Sequence, residues 1–259
     1  MERPRKRTRQ SSQPSTSANP NPDWYLLHAR IMGIYDPVIW RQLSVPPDIT
    51  VDQLHPLMIA AVGWSMSHMH MWSIRRIQEI DPEESEGPMK SDLNPEGYYL
   101  PQMLVAEQVD HPRPDLPPGE DFVPGDHGLP PTQTLAELDA IYDISGNKHV
   151  LYYEYDMGDG WEHMITVEKR IKPTPVVTGG SGHSVAEDAG GIVGWDFLKE
   201  AYRTKNTQRD DEEMVEKREW YESMCTNGDP RGLKGKARLE HFNVKEANEA
   251  YATWKKVGT

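Results

Sequence analysis

The chain has 259 residues and is acidic: 41 Asp and Glu against 28 Lys and Arg give a net charge of -13, and only 36% of residues are apolar. No apolar run approaches the roughly 20 residues that span a bilayer, so no membrane partner is expected, and no secretory leader is expected at an N-terminus without an apolar core. The single cysteine, Cys225, excludes an intramolecular disulfide and any CxxC-type zinc or iron–sulfur site.

Residues 1–22, MERPRKRTRQSSQPSTSANPNP, have almost no apolar side chains and include Arg3, Arg5, Lys6, Arg7 and Arg9. A disordered basic arm is expected, serving either as a nuclear-targeting or polyanion-binding cluster or as a solubilising tail. Trp24 opens the ordered part, a single domain expected over 23–256. WYLLHARIMG and VIWRQLSVP read as two strands, the second stopped by Pro46–Pro47. Thr50 starts a helix. T-x-x-Q at 50–53 is a capping box, Leu54, Leu57, Met58, Ala61 and Val62 form one apolar face, and Gly63 closes it. SHMHMWSIRRI follows as a third strand.

From about 78 to 130 no period is sustained, and residues 77–128 hold thirteen acids against Lys90 and Arg113. An acidic Pro/Gly-rich insert is expected there, mostly loop, with a short helix near QMLVAEQ; loops this long are functional or disordered. TLAELDAI reads as a short helix or a ladder segment. KHVLYYEYD and WEHMITVEKRI form a hairpin around MGDG, with positive φ supplied by Gly158 and Gly160. TPVVTGGSGHSVAEDAGG is a Gly-rich connector. Three C-terminal helices complete the chain, the last, NVKEANEAYATWKK, capped by Asn243 with Glu246. Strands, a helix, a strand, a hairpin and then helices imply an α+β fold with a mixed, mainly antiparallel sheet.

Several of these stretches resemble a known family, the plasmid pRiA4b ORF-3-like domain. YDPVIWRQLSVPPDITVDQLHPLMIAAVGWSMSHMHMWSI is similar to its Pro–x–Ile–Trp–Arg strand, Thr–Leu–x–x–Leu–His helix, Gly–Trp and His–Leu–His. YEYDMGDGWEHMITVE resembles its Tyr–Asp–Phe–Gly–Asp–x–Trp–x–His motif, EDAGGIVGWDFL its Glu–Asp–x–Gly–Gly segment, and EHFNVKEANEAY its closing Phe–Asp–x–x–x–x–Asn stretch. The likeness runs in order from about Trp24 to Trp254. It departs at VVTGGSGHSVAED, where His183 stands and the family's Cys and Pro–Pro are missing, and the acidic insert is longer than usual. The resemblance implies a fold and a site without implying a reaction.

That site collects titratable and aromatic residues. His68, His70, Asp156, Asp159 and His163 are the candidate catalytic groups, with His68, His70, His163 and Asp159 as candidate ligands of a divalent metal; a His/Asp set suits Zn, Mn or Fe. Trp40, Arg41, Trp64, Tyr155, Trp161, Glu187 and Asp188 are candidate binding residues, with Trp40 as a core anchor and Arg41 as the buried partner of an acid. Alternation on a strand puts His68 and His70 on one face. Packing in one sheet brings His68 or His70 within about 8 Å of His163 and of Asp156 or Asp159. The competing reading makes these structural residues, with Asp156 and Asp159 fixing the turn and Trp161 and His163 in the core.

Two functions follow. One is an enzyme on a small molecule, using His/Asp acid–base or metal chemistry. The other is a non-enzymatic interaction module linked to mobile elements, whose acidic insert takes a basic protein partner. Nucleic acid is disfavoured by the acidic body, except weakly through the basic arm. A reducing, intracellular setting, cytoplasmic or nuclear, suits either.

Overall fold

The computed structural model describes residues 23–76, 107–108, 129–146, 148–203 and 212–257. The basic arm and nearly all of the acidic insert lie outside the described residues. Two strands open the chain, β1 (Trp24–Ile31) and β2 (Trp40–Val45), followed by α1 (Val51–Val62), β3 (His70–Arg76) and β4 (Glu107–Gln108). Then come α2 (Leu135–Tyr142), β5 (His149–Tyr155), β6 (Trp161–Ile171) and β7 (Val177–Ser181). The chain ends in α3 (Gly191–Arg203), α4 (Glu212–Ser223), the short α5 (Lys236–Leu239) and α6 (Val244–Val257).

Among the described residues the strands form one sheet in the order β4-β3-β5-β6-β1-β2-β7, antiparallel at every pairing. The α+β class read from the sequence is the one observed. Alternation along the strands divides the sheet into two faces. Tyr25, Leu27, Ala29 and Ile31 of β1, Leu43 and Val45 of β2, Tyr153 and Tyr155 of β5 and Trp161 and Ile165 of β6 belong to the main core, with α1. Val150, Tyr152 and Met164 form a small separate cluster.

The local signals act as expected around α1. Thr50 Oγ1 accepts from Gln53 N at 3.3 Å while Gln53 Oε1 accepts from Thr50 N at 3.1 Å. Gly63 closes the helix at φ 90 and donates to the Ile59 carbonyl. TLAELDAI is a helix, not a ladder segment, because Thr134 and Glu137 make a second capping box. Asn243 Oδ1 accepts from the amides of Lys245 and Glu246 at the start of α6.

Four expectations are corrected. The connector at 174–191 contains β7: glycines let it lie close against β2 and the Phe242 ring, where a Cβ on Gly180 would come within 2.5 Å of the ring. Of the stretch near QMLVAEQ read as a short helix, residues 102–106 lie outside the described residues, and its last two, Glu107–Gln108, are a strand beside Arg75 and Arg76. In the hairpin turn the positive φ values belong to Asp156 (55) and Gly160 (68), not to Gly158. Trp40 is not a core anchor, since alternation sends Arg41, Leu43 and Val45 inward; Trp40 is half-buried and stacks on His28 with centroids 5.2 Å apart.

Candidate functional site

Three segments converge beyond one end of the sheet. The first leaves α1 through Gly63 and carries Trp64 to His68 before β3 begins. The second is the end of β5, where Tyr155 is followed by Asp156. The third runs into α3 and carries Glu187 and Asp188. Each contains a non-glycine residue with positive φ: Met66 at 64, Asp156 at 55 and Asp188 at 59. Such conformations cost on the order of 1–3 kcal/mol each, with Asp toward the low end, and persist only where the surroundings impose them.

His68 sits between two carboxylates. Its Nδ1 is 3.6 Å from Asp156 Oδ2, and its Nε2 is 3.3 Å from Asp188 Oδ1. Neither contact is a hydrogen bond: the first is too long, and Nε2 is buried without a hydrogen-bond partner. Among the described residues, His68, Asp156 and Asp188 offer one donor atom each within 4.8 Å of one another. Donors about 2.0–2.2 Å from a shared cation lie about 3–3.5 Å apart, so the Nε2–Asp188 contact at 3.3 Å fits a common ion, and Asp156, which lies beside Nδ1, would have to move closer to join it. The group could hold a metal. Asp188 has 60% of its side chain exposed and Asp156 12%, so the group opens to solvent on one side.

Behind it the wall is aromatic and buried. Trp64 stacks on Tyr155 with centroids 4.6 Å apart, and the edge of the His68 ring meets Tyr155 at 5.7 Å. The Tyr155 hydroxyl donates to Glu187 Oε1 at 2.8 Å and accepts from the amides of Ser67 at 3.0 Å and His68 at 3.3 Å. Burial, and then the bond to Glu187, pushes its pKa up to about 12, so it stays a neutral donor. Glu187 is buried and accepts from Ser65 N with both oxygens, at 3.0 and 3.1 Å.

The other candidates lie elsewhere. His68 precedes β3, so strand alternation does not reach it. His70, the first residue of β3, stacks on His55 with centroids 3.5 Å apart and planes 5° apart. His163 is fully in the core. Its Nδ1–H is shared between the carbonyls of Trp161 at 3.0 Å and Tyr153 at 3.2 Å, and burial pushes its pKa down to about 4. Trp161 is buried beside it, 6.3 Å from Trp64. Asp159 Oδ2 accepts from Gly190 N at 3.2 Å and ties the hairpin turn to the start of α3. The metal candidates His70, His163 and Asp159 therefore stand outside the donor group, while Asp156 and Asp188 stand in it.

Among the described residues Arg41 has no acidic partner, which corrects the expectation of a buried ion pair. Its guanidinium donates to the carbonyls of Ala61 at 2.6 Å, Trp40 at 2.8 Å, Ser181 at 2.7 Å and Gly182 at 3.0 Å, and lies over the Phe242 ring. Burial pushes its pKa down to about 9, which leaves it charged at neutral pH against the negative end of α1. Sequence reasoning missed Ser65, Ser67, His55 and Asn227. Nothing local marks them, because each matters through a partner far along the chain.

The fold and its motifs define an α+β protein of the pRiA4b type. The chain belongs to the plasmid pRiA4b ORF-3-like protein family, whose model matches residues 24–231. It is similar to the uncharacterized protein y4hQ of Sinorhizobium fredii (strain NBRC 101917 / NGR234), with 27% identity over 201 residues, covering 74% of this chain and 80% of the relative. It is also similar to the crystal structure of the protein of unknown function MM3350 from Methanosarcina mazei Go1. That match has a TM-score of 0.55 and 22% identity and covers 87% of this chain and 98% of the other; it shows the fold alone. No described helix is long and apolar enough to cross a membrane.

Proposed function

We propose that the protein is an intracellular enzyme acting on a small molecule at a divalent-cation site held by His68, Asp156 and Asp188. The observation that carries this reading is the grouping of one donor atom each from His68, Asp156 and Asp188 within 4.8 Å of one another, beside a buried His68 Nε2 that has no hydrogen-bond partner. One imidazole and two carboxylates suit Zn, Mn or Fe(II). Three protein donors with one side open to solvent are what a catalytic rather than a structural site requires. A cation there would supply Lewis-acid polarisation of a substrate oxygen and acidify water. Trp64 and Tyr155 would exclude bulk water from the inner wall, and the neutral Tyr155 hydroxyl would hold the backbone that carries His68.

The test is elemental analysis of protein purified without chelator, followed by calorimetric titration with Zn²⁺ and Mn²⁺. About one equivalent is expected in the wild type and none in a folded His68→Ala protein. A wild type that neither carries nor takes up either ion would overturn the cation reading.

One geometric feature favours a second reading. Both ring nitrogens of His68 face carboxylates, Asp156 on one side and Asp188 on the other. Without a cation, His68 would act as a general acid–base oriented by Asp156. Turnover that survives chelators but is lost in Asp156→Asn would select this reading over the first.

A further inference from the structure

Asn227 lies in the turn after α4, and its amide uses all of its hydrogen-bonding capacity. Its Nδ2 donates to the carbonyls of Gly63 at 3.1 Å and Val185 at 2.8 Å. Its Oδ1 accepts from Glu187 N at 2.8 Å and from the Cys225 thiol at 3.3 Å. Flipping the amide would oppose like groups at all four contacts, so the network itself fixes its orientation. Through Gly63 and Val185, 164 and 42 residues away in sequence, Asn227 thus joins the two segments that lead to His68 and Asp188.

Glu187 and Tyr155 complete the connection. The Glu187 carboxylate holds Ser65 N, and the Tyr155 hydroxyl bridges that carboxylate to the amides of Ser67 and His68. Asp156 N donates to the Met69 carbonyl at 2.9 Å, closing the link between the second segment and the first. Every donor of the site is therefore the direct chain neighbour of a bonded member: His68 follows Ser67, Asp156 follows Tyr155 and Asp188 follows Glu187. The positive-φ residues Met66, Asp156 and Asp188 all fall within this bonded zone.

We infer that Tyr155, Glu187 and Asn227 are positioning residues, a hydrogen-bonded frame with Tyr155 and Glu187 buried and Asn227 half-buried, that presets the separation of His68, Asp156 and Asp188 before any cation arrives. This rests on the cation reading above. None of the three needs to touch the ion. Their contribution is to hold backbone at the donor-bearing positions, so that binding does not have to order three separate loops.

The test uses the full chain and Zn²⁺ as probe, with calorimetric affinities for wild type, Tyr155→Phe and Asn227→Ser. Leu151→Ala, on the same strand as Tyr155 but outside the frame, serves as a control for lost stability, and urea midpoints rank all four proteins. Tyr155→Phe and Asn227→Ser are expected to bind about 10- to 100-fold more weakly, with one-to-one stoichiometry retained. Leu151→Ala, destabilised at least as much, should bind like wild type. The frame is overturned by wild-type affinity in both variants, or by an equal loss in Leu151→Ala, which would make the effect one of general stability. If Asn227→Ser does not fold, Tyr155→Phe against the control decides alone. A wild type without any Zn²⁺ binding overturns the cation reading itself and the frame with it, and is told apart by failing before any variant is compared.

Discussion

His68 projects between two carboxylates from the loop before β3, whereas His70, two residues on, belongs to an aromatic stack with His55 and Tyr153. In the first place the imidazole faces Asp156 and Asp188 and has one nitrogen unpartnered. In the second, His55 Nδ1 and the Tyr153 hydroxyl share a hydrogen bond of 2.8 Å, the two imidazoles lie parallel at 3.5 Å, and burial lowers the pKa of both. Identical side chains acquire different chemistry because one leaves a loop toward anionic groups and the other enters a sheet against a helix. A low-dielectric aromatic surround keeps an imidazole neutral and makes it packing material. A surround of carboxylates is the setting on which the proposed cation site rests.

The comparison can be strained hardest with acid. His163, fully buried, has a folded pKa near 4 against 6.5 for the free side chain, and His55 is displaced in the same direction to about 4. A depressed histidine pKa means that the unfolded chain binds more protons between these values. Stability is therefore full above about pH 6.5 and falls as pH drops toward 4. His163 alone accounts for a loss on the order of 3 kcal/mol over that window. Urea midpoints between pH 7 and pH 4 should show the fall, and a folded His163→Gln protein should show a shallower one. A flat profile would mean that the aromatic histidines are not neutral in the native state.

Next in size is the division between the two histidines. His68→Ala should weaken Zn²⁺ binding at least 100-fold, about 2.7 kcal/mol, with little change in urea midpoint. His70→Ala should do the reverse, leaving affinity nearly unchanged while lowering the midpoint. Equal effects on affinity would place His70 in the donor group and erase the contrast.

A smaller effect is expected from Tyr153→Phe, which removes only the hydroxyl bonded to His55. The unsatisfied imidazole nitrogen should cost about 1–2 kcal/mol, measured by urea unfolding, with cation affinity untouched. Smallest is Asp159→Asn. It keeps an oxygen for Gly190 N and so should cost less than about 1 kcal/mol and shift affinity no more than about threefold. A large loss of binding in that variant would return Asp159 to the donor set.

The aromatic region was the more legible of the two. Alternation in VLYYEY and WEHMITV already put Tyr153 and Tyr155, and Trp161 and His163, on shared faces, and that is how they pack. The donor group was legible in composition but not in membership. His68 and Asp156 sit in conspicuous motifs, yet nothing in SHMH says that the strand starts at His70, which separates its two histidines. Asp159 looks as much like a ligand as Asp156 until the turn is built, and then its carboxylate faces Gly190.

The sequence by itself determined what depends on a few neighbouring residues: the capping boxes at Thr50 and Thr134, the helix stop at Gly63, the hairpin, the α+β class and the family. These are set by hydrogen bonds three or four residues long and by side-chain alternation, so they are written locally. Tertiary structure alone decided that β7 lies on β2, that Arg41 meets carbonyls instead of an acid, and that Asn227 bridges Gly63 and Val185. It also decided that Asp188 rather than His163 faces His68. Each of these depends on which distant segments come to lie within a few ångströms, and that is settled by how the sheet and helices bury their apolar faces together rather than by any pattern along the chain.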